Sequence, residues 1–200
     1  MNLPSKAIPN IGIIIASTRD ARFCEQPARW LQRIASQRTD MRFQLIDLRD
    51  HPLPFFNEAA PPVMAPVKNE AALEWGRVLT TFDGFIVVTP EYNHGPTAVL
   101  KNAFDSAYGE FNRKPLTFVG YGSVGAARCI EQLRLLAVSF QMVALNSAVN
   151  IGMLEFTAIA RQGKSFDDYP YLEKSAVTML DDLAWWTKAL KHARDNVGEV

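Results

Sequence analysis

The chain has 200 residues, 48% of them hydrophobic, and its 21 basic residues balance its 21 acidic residues. This length fits a single domain, residues 1–200, that can bury a core of substantial size. The absence of net charge argues against nucleic acid or an anionic membrane surface as the partner, since both attract positively charged proteins.

The amino terminus and the lack of a long apolar run predict a soluble cytoplasmic protein. Residues 1–6 lack the basic and then apolar pattern of a signal peptide. No apolar run approaches the roughly 20 residues that span a bilayer, so we expect no membrane insertion. Cys24 and Cys129 are too few for a disulfide framework and lack the spacing of a structural metal site. We therefore expect two packing cysteines and no metal.

Apolar segments with helical patterns between them define the fold class. Five of these segments predict strands, at residues 11–16, 43–48, 84–89, 116–121 and 142–149. This alternation is typical of βαβ units and predicts an α/β three-layer sandwich, with helices on both faces of a five-stranded parallel sheet. The count and order suit the strand order 2-1-3-4-5. In this order the loops after strands 1, 3 and 4 share the carboxyl edge, where ligands bind.

The loop after the first strand, residues 16–24, has the composition of an anion site. The hydroxyls of Ser17 and Thr18 and the exposed amides of a helix start can bind an anion, and Arg19 or Arg22 can add charge-assisted hydrogen bonds. The loop has neither a P-loop nor a Rossmann glycine pattern, which favours a mononucleotide phosphate. Taken alone, the same residues could equally cap the helix.

A proline-rich segment, residues 51–66, follows the second strand and cannot form a continuous helix. Its apolar side chains include Phe55, Phe56 and Met64, which are costly to leave in water. The segment could cover the carboxyl edge of the sheet, pack against a neighbouring subunit, or collapse on its own domain.

The third strand leads into the candidate active site. The run 85–88 suits a strand buried on both faces, and Pro90 is expected to end its ladder. Pro96 suits the first position of the next helix. Between them lie an acid, a phenol, an amide and an imidazole in four consecutive residues, 91–94. A turn histidine such as His94 is more often structural than catalytic, but the combination favours a ligand site.

The loop after the fourth strand contains Gly122, Ser123 and Gly125. Its glycines let the backbone approach a planar ring, and free amides before the next helix can bond ring carbonyl oxygens. Such a turn is weak evidence alone, and its position beside the third-strand loop gives it meaning. Arg128 could contact the ligand, a second subunit or solvent.

In two predicted helices the apolar stripe is wider than one buried face requires. Leu135 and Val138 widen the stripe of the fourth helix, and the adjacent Trp185 and Trp186 cannot both point inward from the terminal helix. These residues favour an oligomer, although a wide stripe can also lie against the chain's own loops.

Residues at fixed offsets across the third-strand loop carry a family resemblance. The run Pro90-Glu91-Tyr92-Asn93, then Gly95-Pro96, Leu100-Lys101-Asn102 and Asp105, resembles the signature of the NAD(P)H-dependent FMN reductase family, which has a flavodoxin-like fold. Ser-x-Arg at 17–19 is similar to the family's FMN phosphate loop, and 122–128 to its second flavin-contacting loop. The chain departs from many members in having Ala16 before the serine and Arg22-Phe23-Cys24 instead of Ser-Phe-Asn.

The resemblance implies an oxidoreductase that passes hydride from NADPH or NADH through FMN to a small acceptor: a quinone, free flavin, an azo or nitro compound, or a metal oxyanion. It implies no obligate catalytic side chain, ping-pong kinetics, and a homodimer or homotetramer with the flavin at the subunit boundary. Glu91 and Tyr92 could instead bond across that boundary. The cofactor-binding residues it implies are Ser17, Arg19, Arg22, Phe23, Cys24, Pro90, Glu91, Tyr92, Asn93, Gly122, Ser123 and Gly125.

Two other classes of protein remain open on the sequence. A flavodoxin-type electron carrier would share the fold and FMN without its own NAD(P)H turnover, although such carriers are usually strongly acidic and this chain is charge-balanced. A flavin-free interaction module would fit if the three loops were turns and nothing more.

Overall fold

The computed structural model describes residues 8–196, so the expectation for residues 1–6 lies outside the described part. Its sheet is entirely parallel, in the order β2-β1-β3-β4-β5, and β6 also pairs with β4. The strands are β1 (Asn10–Ile15), β2 (Arg42–Asp47), β3 (Gly84–Pro90), β4 (Pro115–Tyr121), β5 (Val143–Ala144) and β6 (Val149–Ile151). The predicted flavodoxin-like α/β fold and its strand order are confirmed.

Helices cover both faces of the sheet because alternate strand residues point to opposite sides. Ile13 of β1 packs into one core with helices α1 and α6, and Ile14 packs into the other with α2, α3 and α4. The helices are α1 (Glu25–Ala35), α2 (Glu70–Thr80), α3 (Ala98–Asp105), α4 (Ala127–Ser139), α5 (Met153–Arg161) and α6 (Pro170–Asn196). Within residues 8–196, no helix has the length and apolar character needed to cross a membrane.

The predicted fifth strand, 142–149, is wrong as a single element. β5 pairs with Pro115 and Leu116, whereas β6 pairs further along β4, from Val119 to Tyr121. Between the two pieces, the Thr117 hydroxyl of β4 donates to the Ser147 carbonyl at 2.6 Å. This side-chain hydrogen bond stands in place of backbone pairing between β4 and the residues around 147. The predicted strand is therefore interrupted, and the chain pairs with β4 first as β5 and again as β6.

The end of β3 also differs from the prediction. Pro90 pairs with Tyr121, and the Glu91 N–H donates to the Tyr121 carbonyl at 3.2 Å. Successive residues of β3 direct their N–H groups alternately toward β4 and toward β1. Because Glu91 donates toward β4, the position of the missing Pro90 N–H faces β1, which has already ended at this level. The ladder therefore continues through the proline.

Helix α3 begins two residues later than Pro96 suggested. Its N-cap is Thr97, whose hydroxyl accepts a hydrogen bond from the Leu100 N–H at 3.2 Å and donates to the Ala16 carbonyl at 2.7 Å. A threonine hydroxyl satisfies a free N–H of the first turn, which proline cannot do. The same hydroxyl joins the third-strand loop to the first loop.

The proline-rich segment 51–66 contains no helix or strand and is fastened to α3. The buried Asn102 amide donates to the Leu53 and Pro54 carbonyls and accepts from the Phe56 N–H. Beyond this anchor the segment leaves apolar side chains in solvent, with Met64 80% exposed. The segment therefore packs on its own domain at one end and presents an apolar surface at the other.

Candidate active site

The first loop is held to the end of β2 by an ion pair. The Arg22 guanidinium binds both carboxylate oxygens of Asp47, and its side chain is only 4% exposed. Burial alone lowers the pKa of an arginine, but the hydrogen bonds to Asp47 dominate and raise the pKa of Arg22 above its ordinary value. Its Nε–H is buried and has no hydrogen-bond partner among the described residues. Arg22 is therefore mainly a structural ion-pair residue with one donor left over.

The next two residues of this loop are buried. Phe23 packs edge-on against Tyr121 and Phe156, with ring centroids 5.1 and 4.9 Å apart. The Cys24 thiol donates to the Val88 carbonyl at 3.0 Å, and burial raises its pKa to about 12. A thiol with such a pKa is not a nucleophile near neutral pH. Cys24 thus packs under the loop, as the cysteine count suggested.

The β3 loop turns back on itself immediately after Tyr92. Tyr92 and Gly95 exchange two backbone hydrogen bonds, of 3.0 and 2.9 Å, across a turn in which Asn93 and His94 have positive φ angles of 49° and 71°. The left-handed region tolerates asparagine better than most residues. Both turn side chains are exposed, and the Tyr92 hydroxyl lies 3.3 Å from the Ser17 hydroxyl. The turn thus joins this loop to the first one.

Glu91 links the β3 loop to the β4 loop. Its carboxylate accepts from the backbone N–H groups of Arg128 and Cys129 at the start of α4, and from Arg128 Nε at 2.7 Å. Burial works against the ionised form, but these bonds outweigh it and the pKa of Glu91 lies below its ordinary value. Arg128 also donates to the Ser123 hydroxyl at 3.3 Å. Within the chain, Glu91 and Arg128 are therefore each other's partners.

The β4 loop needs its glycines for shape. Gly122 has a φ of 144° and Gly125 a φ of 61°, and a Cβ on Gly125 would lie 2.8 Å from Asn150 Cβ. The Asn150 amide in turn donates to the Gly125 carbonyl at 2.7 Å. Gly125 therefore packs against β6, whereas a Cβ on Gly122 would meet nothing closer than 3.7 Å.

These three loops surround one cavity of about 480 Å³ at the carboxyl edge of the sheet. Eight of the twelve predicted site residues line it: Arg19, Arg22, Phe23, Pro90, Glu91, Tyr92, Gly122 and Ser123. The structure places the other four beside the cavity wall or away from it. Ser17 bonds Tyr92, Cys24 lies beneath the loop, Asn93 is exposed, and Gly125 packs on Asn150.

The sequence interpretation missed one whole wall of the cavity. That wall is α5, which contributes Met153, Phe156, Ala160 and Arg161, and the lining also includes Ala21, Gln26 and Tyr121. Positions 153, 156 and 160 recur at helical spacing, which is the signal that could have revealed this face. Burial, and the neighbouring Cys24, raise the pKa of Tyr121 above its ordinary value, so its phenol stays neutral.

The chemistry of the cavity wall fits a phosphorylated aromatic molecule. Its donors are the start of α1, which has no side-chain cap, the unpartnered Arg22 Nε–H, and Arg19, whose pKa is raised by the Tyr92 phenol. Free helix-start amides and guanidinium groups are donors for phosphate. Tyr121 and Phe156 supply aromatic surface in the same cavity, which Gly122 also lines. The residues present thus suit FMN.

The fold and this cavity define a flavodoxin-like protein with a pocket at the carboxyl edge of its sheet. The sequence profile of the family described as NADPH-dependent FMN reductase matches residues 9–155. The chain belongs to this family, and it is accordingly an NAD(P)H-dependent oxidoreductase that uses FMN.

Individual relatives agree with this assignment. The chain is 37% identical over 147 residues to an NAD(P)H-dependent FMN reductase of Schizosaccharomyces pombe, covering 71% of this chain and 74% of the relative. It is 28% identical over 189 residues to a 2-hydroxy-1,4-benzoquinone reductase of a Burkholderia species, covering 89% and 96% of the two chains. Its fold superposes on FerB, a flavoenzyme NAD(P)H:(acceptor) oxidoreductase from Paracoccus denitrificans, with a TM-score of 0.70 and 21% identity over 91% of this chain and 98% of FerB.

Proposed function

We propose that the cavity between the three loops binds FMN, with the phosphate at the first loop and the ring at the β3 and β4 loops. The observation that carries this proposal is the convergence of eight predicted residues, drawn from three separate loops, on one cavity. Arg19 and the loop amides bind the phosphate, and Arg22 adds its single free Nε–H. Ser17 orients Tyr92 through their hydroxyl contact.

The ring end of the pocket is shaped by backbone and by rigid side chains. Glu91 and Arg128 fix the β3 loop against the start of α4, so the Gly122 and Ser123 backbone keeps one position relative to Pro90. Phe156 and Met153 from α5 close one side of the cavity. We propose that Cys24 and Gly125 support their loops from behind, and that Asn93 contributes its backbone, since its side chain is exposed.

Bound FMN supplies hydride acceptance from the nicotinamide and electron donation to a second substrate. The chain's own residues hold the ring, exclude water and leave one face accessible, and none needs to act as an obligate acid or base. A single open face used in turn by donor and acceptor gives ping-pong kinetics.

We propose that the acceptor is a small planar molecule of the quinone type. The support is the relative described as a 2-hydroxy-1,4-benzoquinone reductase, which aligns with 89% of this chain. Tyr121 and Phe156 offer aromatic surface for such a molecule at the cavity.

The test is oxidation of NADPH and of NADH by the FMN-loaded protein, with a benzoquinone, free FMN and an azo dye as acceptors. We expect turnover that depends on an acceptor, fastest with the quinone, and parallel double-reciprocal plots. A protein that binds FMN but oxidises neither donor would be an electron carrier. One that stays colourless with added FMN would have no flavin site.

We also propose that the chain forms one domain, residues 1–200, in a cytoplasmic homodimer or homotetramer. The two cysteines are free and buried, as expected for a reducing compartment. Apolar side chains exposed on α4 and α6 support an oligomer, with Leu135 75% and Trp185 64% exposed.

A further inference from the structure

Arg49 occupies an unusual position behind the first loop. It lies two residues beyond β2, in a segment that contributes nothing to the FMN cavity. Its guanidinium nevertheless reaches the first loop and donates to three successive carbonyls: to that of Thr18 from Nε at 3.4 Å, to that of Arg19 from Nη2, and to that of Asp20 from Nη2 at 3.2 Å. A guanidinium is suited to this contact because its donors are fixed in one plane.

The neighbouring arginine extends this row of bonds. Arg22 Nη1 donates to the Ser17 carbonyl at 2.9 Å, so the four consecutive carbonyls of residues 17–20 are all bound by guanidinium groups. Both arginines are fixed by Asp47, which pairs with the Arg22 side chain and accepts the Arg49 backbone N–H at 3.0 Å. The end of β2 therefore sets the orientation of the whole loop.

The opposite side of each peptide plane is thereby left free. In a trans peptide the N–H points away from the carbonyl of the preceding residue. With the carbonyls of 18–20 turned toward Arg49, the N–H groups of 19–21 face the other way. None of these three amides has a hydrogen-bond partner within residues 8–196.

The cavities on the two sides of the loop agree with this division. Thr18 and Arg49 line a separate cavity of about 320 Å³, whereas Arg19 and Ala21 line the FMN cavity. Arg49 also has no carboxylate partner in any ion pair of the described chain, so its positive charge remains directly behind the free amides. Both effects favour an anion on the amide side.

We propose that Arg49 is a positioning residue that makes this enzyme select phosphorylated flavin. It holds three carbonyls of the first loop so that the amide N–H groups of residues 19–21 are presented to the phosphate of FMN, without touching the cofactor itself. This inference rests on the proposed function, because it takes the first loop as the phosphate site.

The test compares the dissociation constants of FMN and riboflavin, measured by titration of the full chain after flavin removal. Riboflavin lacks only the phosphate, so the ratio of its dissociation constant to that of FMN reports phosphate recognition alone. In Arg49→Met we expect FMN affinity to fall about tenfold, which is the size of effect seen when a hydrogen bond to a charged group is lost. Riboflavin affinity should change less than about twofold. Arg42→Met removes an equal charge from an exposed position on β2 and should change neither constant.

Each outcome decides a different point. A wild-type protein that binds FMN and riboflavin equally would overturn the phosphate assignment in the proposed function. A wild-type preference for FMN that is unchanged in Arg49→Met would overturn the role of Arg49 alone. An equal fall in the affinities for FMN and riboflavin would also overturn that role, because it would indicate general damage to the fold. Arg49→Lys keeps the charge without the fork of donors, and full preference for FMN in that variant would overturn the carbonyl-binding argument.

Discussion

Two arginines of the cavity, Arg19 and Arg161, form no ion pair within residues 8–196, and Arg19 is the one that lies in the first loop. Its interaction with the Tyr92 phenol raises the pKa of Arg19, and a phosphate can replace this partner. We expect Arg19→Ala to weaken FMN binding roughly ten- to hundredfold, the range for one charged hydrogen bond. Fluorescence titration of the flavin measures this change.

The matched control for Arg19 is Arg29→Ala. Arg29 is an exposed arginine of α1 that pairs with Glu25 outside the cavity, and its loss should leave FMN binding unchanged. Equal effects of the two variants would mean that Arg19 acts only through long-range charge, and no effect of Arg19→Ala would place the phosphate elsewhere.

Lys114 lies at the edge of the sheet opposite the cavity, and it makes the free energy of unfolding depend on pH. It is 7% exposed, its ammonium donates to the Leu79 carbonyl at 3.1 Å, and burial lowers its pKa from 10.5 to about 8. Between these two pH values the unfolded chain binds a proton that the folded chain has lost. The contribution of Lys114 to the free energy of unfolding therefore rises with pH in this window and is constant below it.

The comparison with Lys114→Met isolates that contribution. Cys24 and Cys129 have pKa values raised to about 12 by burial and act in the opposite direction, but they are present in both proteins. From pH 7 to pH 9 we expect the wild type to gain about 1 kcal/mol in stability relative to the variant, from one proton over about one pH unit. Denaturant titrations at the two pH values measure this, and a constant difference would show that the Lys114 pKa is ordinary.

At the scale of the elements, Asn102 determines how the proline-rich segment is attached. Its amide makes three hydrogen bonds with residues 53–56, the only side-chain anchor from α3 to that segment in the described chain. We expect Asn102→Ala to lower the free energy of unfolding by about 1–3 kcal/mol. Chymotrypsin should also cleave after Phe55 faster than in the wild type, since Phe55 is already 78% exposed.

A second variant tests whether these effects are specific to the Asn102 side chain. Asn57 is exposed and makes no hydrogen bond in the described structure, so Asn57→Ala should leave both stability and cleavage rate unchanged. Unchanged cleavage in Asn102→Ala would mean that the packing of the prolines, and not the amide, holds the segment.

The elements that the sequence predicted correctly are those whose pattern is local. β3 is buried along its whole length and reads as a continuous apolar run, and the Gly and Pro residues around 90–96 mark the loop after it. The division of the fifth strand depends on a bond from Thr117 to Ser147, 30 residues apart, which no local pattern contains. The ion pair between Arg22 and Asp47 is absent from any local pattern for the same reason, because one partner lies in the first loop and the other on β2.

At the scale of the whole molecule, two of the exposed apolar side chains lie on the helix that follows the β4 loop. Leu135 and Val138 of α4 are 75% and 72% exposed, and α4 begins at the loop that contains Gly122 and Gly125. Gln132 of the same helix donates to the His94 carbonyl of the β3 loop at 2.8 Å. A second subunit on this face would lie beside the mouth of the flavin pocket, so assembly and FMN binding would share one region of the surface.

This placement gives the last prediction. Replacing Leu135 and Val138 together by Glu puts two charges where a partner would bury apolar surface, so we expect the native mass to fall to that of one 22.4 kDa chain. Light scattering after size exclusion measures it, with twice or four times that mass expected for the wild type. Val177→Glu on α6, where Val177 is 43% exposed, is the matched change. If that variant alone dissociates, the interface lies on α6, and a monomeric wild type would contradict assembly altogether.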